Sequence, residues 1–134
     1  MPSSNVDLIQ NSYEAFARGG IDEYLAFIDP NVNWRAMEGA PDDVGEMDGR
    51  EAVSRYLREW DDMFEGLFAE AEELIDAGPD RVVAVVHIGG RAKASGAEVD
   101  MRYAVLYTLR DGKIVRGREY VDRAQALEAA GVKG

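Results

Sequence analysis

Between Arg81 and Asp122 the chain reads RVVAVVHIGGRAKA, SG, AEVDMRYAVLYTLR, DG and KIVRGREYVD. This is three long β-strands joined at two turns, because Ser95-Gly96 and Asp111-Gly112 offer the positive φ angles that short hairpin loops demand. Their flanks are rich in β-branched and aromatic residues. Strands of roughly ten residues exceed the usual ~5–6, so such a sheet must curl. Gly89-Gly90, inside the first strand, is the expected place for a bend or bulge. A curled antiparallel sheet with helices packed in its concave face leaves a pocket, and function is expected there.

Upstream, Val6, Ile9, Tyr13 and Phe16 recur at helical steps, and Ser4 with Asp7 gives a variant capping box, so a helix is expected from about Asn5 to Arg18, ending at Gly19-Gly20. Ile21, Tyr24, Leu25 and Ile28 make a short second helix that Asp29-Pro30 ends, and Val32 to Ala36 follows as a short strand carrying Trp34. MEGAPDDVGEMDG reads as a loop able to rim a pocket. Asp48 and Glu51 have cap spacing ahead of Val53, Tyr56, Leu57, Trp60, Met63 and Phe64, the strongest helical stripe in the chain. LFAEAEELID reads as a strand, Gly78-Pro79-Asp80 as a turn, and Asp122 with Gln125 caps a last short helix that Gly131 ends.

Composition narrows the function classes. The 134 residues, 46% apolar, suit one domain over residues 1–134, with no apolar run near the ~20 residues of a membrane span and no signal-like start, so a cytoplasmic location is expected. Zero cysteines remove disulfides, thiol catalysis and thiolate metal sites, and one histidine removes a multi-histidine zinc site. Neither metal nor cofactor is expected. The net charge of −11 disfavours nucleic acid and anionic membrane. Residues 81–123 nevertheless hold nine Lys/Arg against five acids, a basic sheet within an acidic chain.

The order helix, helix, short strand, loop, amphipathic helix and four strands, with the strings YEAFARGGIDEYLAFIDPNVNWR, GREAVSRYLREW, ELIDAG, KASG, TLRDGKIVRGREYVD and ALEAAG, resembles the SnoaL-like branch of the NTF2-like superfamily. The resemblance implies an α+β cone: a highly curved mixed sheet wrapped around three N-terminal helices, with a short C-terminal helix. It also implies a homodimer and a fold that hosts polyketide cyclases, ketosteroid isomerases, epoxide hydrolases, dehydratases and proteins without known activity. SnoaL-type cyclases carry a Trp-Asp pair on the last strand after a DGxI turn, and here Arg118 and Glu119 stand at those positions. By that resemblance Glu119 is the candidate general acid/base. Trp34 falls where ketosteroid isomerases place their catalytic Asp, and the second acid of those enzymes is replaced near Val105, so isomerase chemistry of that type is not expected.

His87 and Tyr103 complete the candidate catalytic set with Glu119. Alternation puts His87 with Val83 and Val85, opposite Ala84, Val86 and Ile88, and leaves open which face is concave. Tyr103 and Tyr107 share one strand face, and Tyr56 and Trp60 share the helical stripe. Such phenols are either core or donors to a carbonyl or enolate oxygen. The pocket wall is expected from Trp34, Tyr56, Trp60, Val105, Tyr107, Gly117 and Val121, holding a small apolar or aromatic ligand. Asp42, Asp43, Glu46 and Asp48 lack the spacing of a calcium loop and read as a solvated cluster. Two functional classes remain: a cofactor-independent acid/base enzyme acting beside a carbonyl, by cyclisation or isomerisation, and a non-catalytic binding or assembly module.

Overall fold

The computed structural model describes residues 4–36 and 45–132. Asp42, Asp43 and most of the proposed rim loop lie outside them. Four helices and six strands follow in the order α1 (Ser4–Gly19), α2 (Ile21–Leu25), β1 (Ile28–Arg35), β2 (Glu46–Asp48), α3 (Arg50–Met63), β3 (Phe64–Asp76), β4 (Arg81–Ala92), β5 (Glu98–Arg110), β6 (Lys113–Tyr120) and α4 (Arg123–Ala130). The strands form one mixed sheet in the order β2-β1-β6-β5-β4-β3, with β1 parallel to β6 and the other neighbours antiparallel.

Helices α1 to α3 pack on one face. Ile9, Ile28, Val32, Val53, Val82, Ala84, Val86, Val105 and Ile114 are buried there. Each fully buried Val or Ile contributes about 1.5–3 kcal/mol over an exposed one. Helix α4 covers part of the other face through Ala126, Leu127 and Ala130 against Val83, Ala104 and Leu106. The expected cap is present: Asp122 Oδ1 accepts from the Gln125 amide at 2.9 Å, and Gly131 closes the helix with φ 73°.

Several local expectations are corrected. The second helix ends at Leu25, and Ile28 already belongs to β1. That strand bulges between Ile28 and Asn33, where Pro30 has no N–H to give to a ladder. Helix α3 is preceded by Gly49 at φ 94° without a side-chain cap; Asp48 instead accepts from Asn33 Nδ2 at 2.7 Å across the β1–β2 pair. Phe64 opens β3 rather than closing the helical stripe. The Asp111-Gly112 hairpin has positive φ at both residues, as a two-residue loop needs, whereas five residues, 93–97, separate β4 from β5.

The bulge expected at Gly89-Gly90 lies across the ladder from them. β4 keeps unbroken register with β5 through both glycines, and the extra residue sits in β3 between Glu65 and Phe68, where Gly66 has φ 64°. A Cβ on Gly89 would stand 2.7 Å from Val99 O and 2.8 Å from the Phe68 ring. The glycine is there for close approach, not for a bend. Gly89→Ala is therefore expected to lower stability by about 1–3 kcal/mol, against about 1 kcal/mol for Asp122→Ala. Equilibrium urea denaturation of both variants checks the order.

Candidate functional site

The register of the sheet dictates which side chains meet on its concave face. One lateral row crosses Trp34 on β1, Gly117 on β6, Tyr107 on β5 and Val82 on β4; the next crosses Glu119, Val105 and Ala84. Tyr103 lies two residues from Val105 on β5, so it is the diagonal neighbour of Glu119 on the same face. Opposite them, the stripes of α1, α2 and α3 bring down Tyr13, Phe16, Tyr24, Tyr56 and Trp60.

Gly117 leaves the row without a side chain, and the Trp34 indole occupies that gap. A Cβ at Gly117 would stand 2.3 Å from Trp34 Cε3. Lying flat over β6, the indole meets Tyr107 edge-on at 5.8 Å and reaches along the strand to Glu119. Trp34 Nε1 donates to Glu119 Oε2 at 2.9 Å, and the Tyr56 hydroxyl donates to Oε1 at 3.0 Å and Oε2 at 3.2 Å. An indole N–H can only donate, so the carboxylate is the matching partner. Trp34 is 3% exposed and Tyr56 7%, while Glu119 is only partly buried.

Beside this pair, Tyr107 is the hub of a phenol cluster. Its hydroxyl lies 2.6 Å from that of Tyr13 and 2.9 Å from that of Tyr24. Three hydroxyl hydrogens serve two contacts, so one is left to point elsewhere whichever way the bonds run. Burial pushes the ionisation of Tyr13, Tyr24, Tyr103 and Tyr107 above the ordinary tyrosine range, with the charge of Glu119 adding to the rise at Tyr13, Tyr24 and Tyr103. These phenols are donors at any physiological pH. Among the described residues nothing hydrogen-bonds the Tyr103 hydroxyl, yet it is not sealed from solvent-sized space.

These groups enclose a cavity of about 90 Å³, several times the ~10–15 Å³ that one water needs. Its floor is the buried set Tyr13, Tyr24, Trp34 and Tyr107, and its more exposed end is formed by Trp60, Leu67, Ala69, Ile88 and Met101. Of the residues expected from sequence, the structure brings Glu119, Tyr103, Trp34, Tyr56, Trp60 and Tyr107 together on the lining. Val105 and Gly117 lie beneath it, the first as buried packing and the second as the gap under Trp34. Val121 follows the end of β6 and is 50% exposed, outside the cavity.

His87 is also outside. It sits on the convex face with Val83 and Val85, where its Nε2 lies 3.0 Å from Asp100 Oδ1 and its ring meets Phe68 edge-on at 5.1 Å. Its place in the catalytic set is corrected accordingly, since a whole sheet separates it from Glu119. Arg118 likewise faces away, donating to the Asn33 and Gly117 carbonyls. Glu46 lies 3.9 Å from Arg118, so the described part of the acidic cluster is engaged by the sheet. Among the described residues no group of His, Asp or Glu is arranged to hold a metal ion. Tyr13 and Tyr24 join the site without having been expected there. Their signal is a hydroxyl inside an otherwise apolar helical stripe, which requires a buried partner.

Gly117→Ala is expected to eject the indole and break the Trp34–Glu119 bond, lowering stability by about 1–3 kcal/mol and shifting the Trp34 indole N–H resonance toward that of a free indole. The phenols also set a base limit. Because their folded ionisation is raised above the ordinary value of 10.0, their stabilising contribution is complete below that pH and is lost as pH rises beyond it. Tyrosinate absorbance at 295 nm should therefore appear together with loss of near-UV circular dichroism. Titration of all six tyrosines near pH 10 in a folded protein contradicts this.

The sequence and the fold place the chain among known proteins. The SnoaL-like domain family matches residues 9–117. The uncharacterized protein Rv0034 of Mycobacterium tuberculosis is 27% identical over 127 residues, covering 94% of this chain and 95% of its own. An NTF2-like protein of Burkholderia thailandensis superposes with a TM-score of 0.77 at 26% identity, over 95% of this chain and 98% of that one. Rv0760c of M. tuberculosis, in complex with estradiol-17β-hemisuccinate, superposes with a TM-score of 0.73 at 19% identity, over 88% and 93%. The chain belongs to the SnoaL-like domain family and has the α+β cone of the NTF2-like proteins.

Proposed function

We propose that the protein binds a small apolar or aromatic molecule in the concave cavity and that Glu119 moves a proton at a carbon beside the ligand's carbonyl. The observation that carries this reading is the pairing on one face of a single carboxylate, oriented by Trp34 and Tyr56, with the unengaged Tyr103 hydroxyl diagonal to it. In this scheme the carboxylate takes the α-proton, electron density moves onto the carbonyl oxygen, and Tyr103 donates a hydrogen bond to the developing enolate. Return of the proton to the same or a neighbouring carbon completes an isomerisation; attack of the enolate on a second carbonyl completes a cyclisation. The scheme needs no cofactor. That a fold neighbour holds a steroid ester supports a small-molecule pocket.

A second reading, a binding module without turnover, has its own support: both oxygens of Glu119 already accept hydrogen bonds, which occupies lone pairs that a base would use. We also retain the homodimer as a proposal, with the convex face beyond α4 as its surface and sedimentation as its test. No helix among the described residues is long and apolar enough to cross a membrane.

Exchange of the α-hydrogens of cyclohexanone in D2O, followed by proton NMR, reads enolisation without knowledge of the natural ligand. Native protein should accelerate the exchange, Glu119→Gln should lose the acceleration by about 10²–10⁴-fold, and Tyr103→Phe should lose about 10²-fold. Both variants should remain folded by circular dichroism. Equal rates for native protein and Glu119→Gln would retire the base and leave the binding module.

A further inference from the structure

The cavity has a sign. Eight of the fifteen described lining side chains are aromatic, Glu119 is the one acid among them, and no Lys, Arg or His belongs to the described lining. Residues 37–44, between the described segments, contain no basic residue in sequence either. The cations of the sheet point elsewhere: Arg102 pairs with Glu72 and Arg118 with the β1 backbone, both away from the cavity. The faces of indole and phenol rings carry the negative lobes of their quadrupoles, and these rings surround a carboxylate.

We propose that the preferred ligand is a small organic cation, an alkylammonium group seated against the Trp34, Trp60, Tyr56 and Tyr103 rings with the Glu119 carboxylate as its counter-charge. The inference rests on the small-molecule reading of the cavity and is independent of whether Glu119 also moves a proton.

Three physical effects point the same way. A methylated ammonium presents an apolar surface to the aromatic walls, so it gains burial where a hydrated ammonium would lose solvation. Coulomb attraction to Glu119 acts at short range in a partly desolvated space, where it is stronger than in water. The same charge that disfavours ionisation of Tyr13, Tyr24 and Tyr103 favours a cation in the space between them. A neutral ligand of equal shape gains only the burial, and an anion meets repulsion from both the rings and the carboxylate. The net charge of −11 adds long-range attraction for a cation approaching the protein.

Tetramethylammonium, tert-butanol and pivalate share a compact branched hydrocarbon head and differ in charge. The chain has two tryptophans, both on the lining, so their two indole N–H resonances report on binding directly. Titration of the native protein with each probe should give a dissociation constant for tetramethylammonium at least about tenfold below that of tert-butanol, with pivalate weakest. In Glu119→Gln, which keeps an acceptor for Trp34 and Tyr56, the advantage over tert-butanol should shrink to a few-fold. Equal binding of tetramethylammonium and tert-butanol by the native protein would overturn the cation preference while leaving the small-molecule pocket standing. Failure of all three to move either indole resonance would overturn both.

Discussion

The absence of a side chain at Gly117 is the constraint on which the cavity depends. It lets an indole lie flat on a β-strand, which strand pairing alone would not permit, because the neighbouring Cβ would be 2.3 Å from the ring. From that position the indole N–H needs an acceptor, and the carboxylate of Glu119, two residues along β6, supplies it at 2.9 Å. Tyr56 then reaches the same carboxylate from α3, so one hydrogen-bonded group ties sheet to helix. A buried polar atom without a partner costs about 1–3 kcal/mol. Indole, carboxylate and phenol each answer that cost for one another.

The phenol cluster extends the same logic toward the helices. Tyr107 projects from β5 into the space between α1 and α2, and its contacts with Tyr13 and Tyr24 fix the depth at which those helices sit. Ring contacts at 6.1–6.4 Å among Tyr13, Phe16, Tyr24 and Tyr107 fill the remaining gaps. The cavity is what remains between this cluster and the Trp34–Glu119–Tyr56 set. Its polarity follows from residue choice: phenol and indole donors in plenty, and among the described lining one carboxylate and no basic side chain. A fold shared by many chemistries acquires its own through such a set of side chains.

Local signals in the sequence mark much of this architecture. Turn residues and β-branched runs point to β4 through β6, spaced apolar residues to α1 and α3, and the Asp122–Gln125 spacing to the cap of α4. Glu119 is reached through its place after the DGKI turn, by likeness rather than by periodicity. Other features depend on distant partners. The period-two pattern groups His87 with Val83 and Val85, but the choice of face is made by α4 covering Val83 and by α1 to α3 covering Ala84 and Val86. Gly89 announces a special backbone, yet only the approach of Phe68 and Val99 shows that the bulge belongs to β3. The Trp34–Glu119 bond joins residues 85 positions apart on parallel strands, a pairing no local pattern encodes.

The site stands or falls on Glu119 pointing into the cavity, held there by Trp34 and Tyr56. A crystal structure of the native protein at atomic resolution tests this. The Glu119 carboxylate should lie within about 3 Å of Trp34 Nε1 and of the Tyr56 hydroxyl, with the Tyr103 hydroxyl facing open space or a bound molecule. A Glu119 side chain turned to bulk solvent, with Trp34 lifted off Gly117 and filling the cavity, would contradict it.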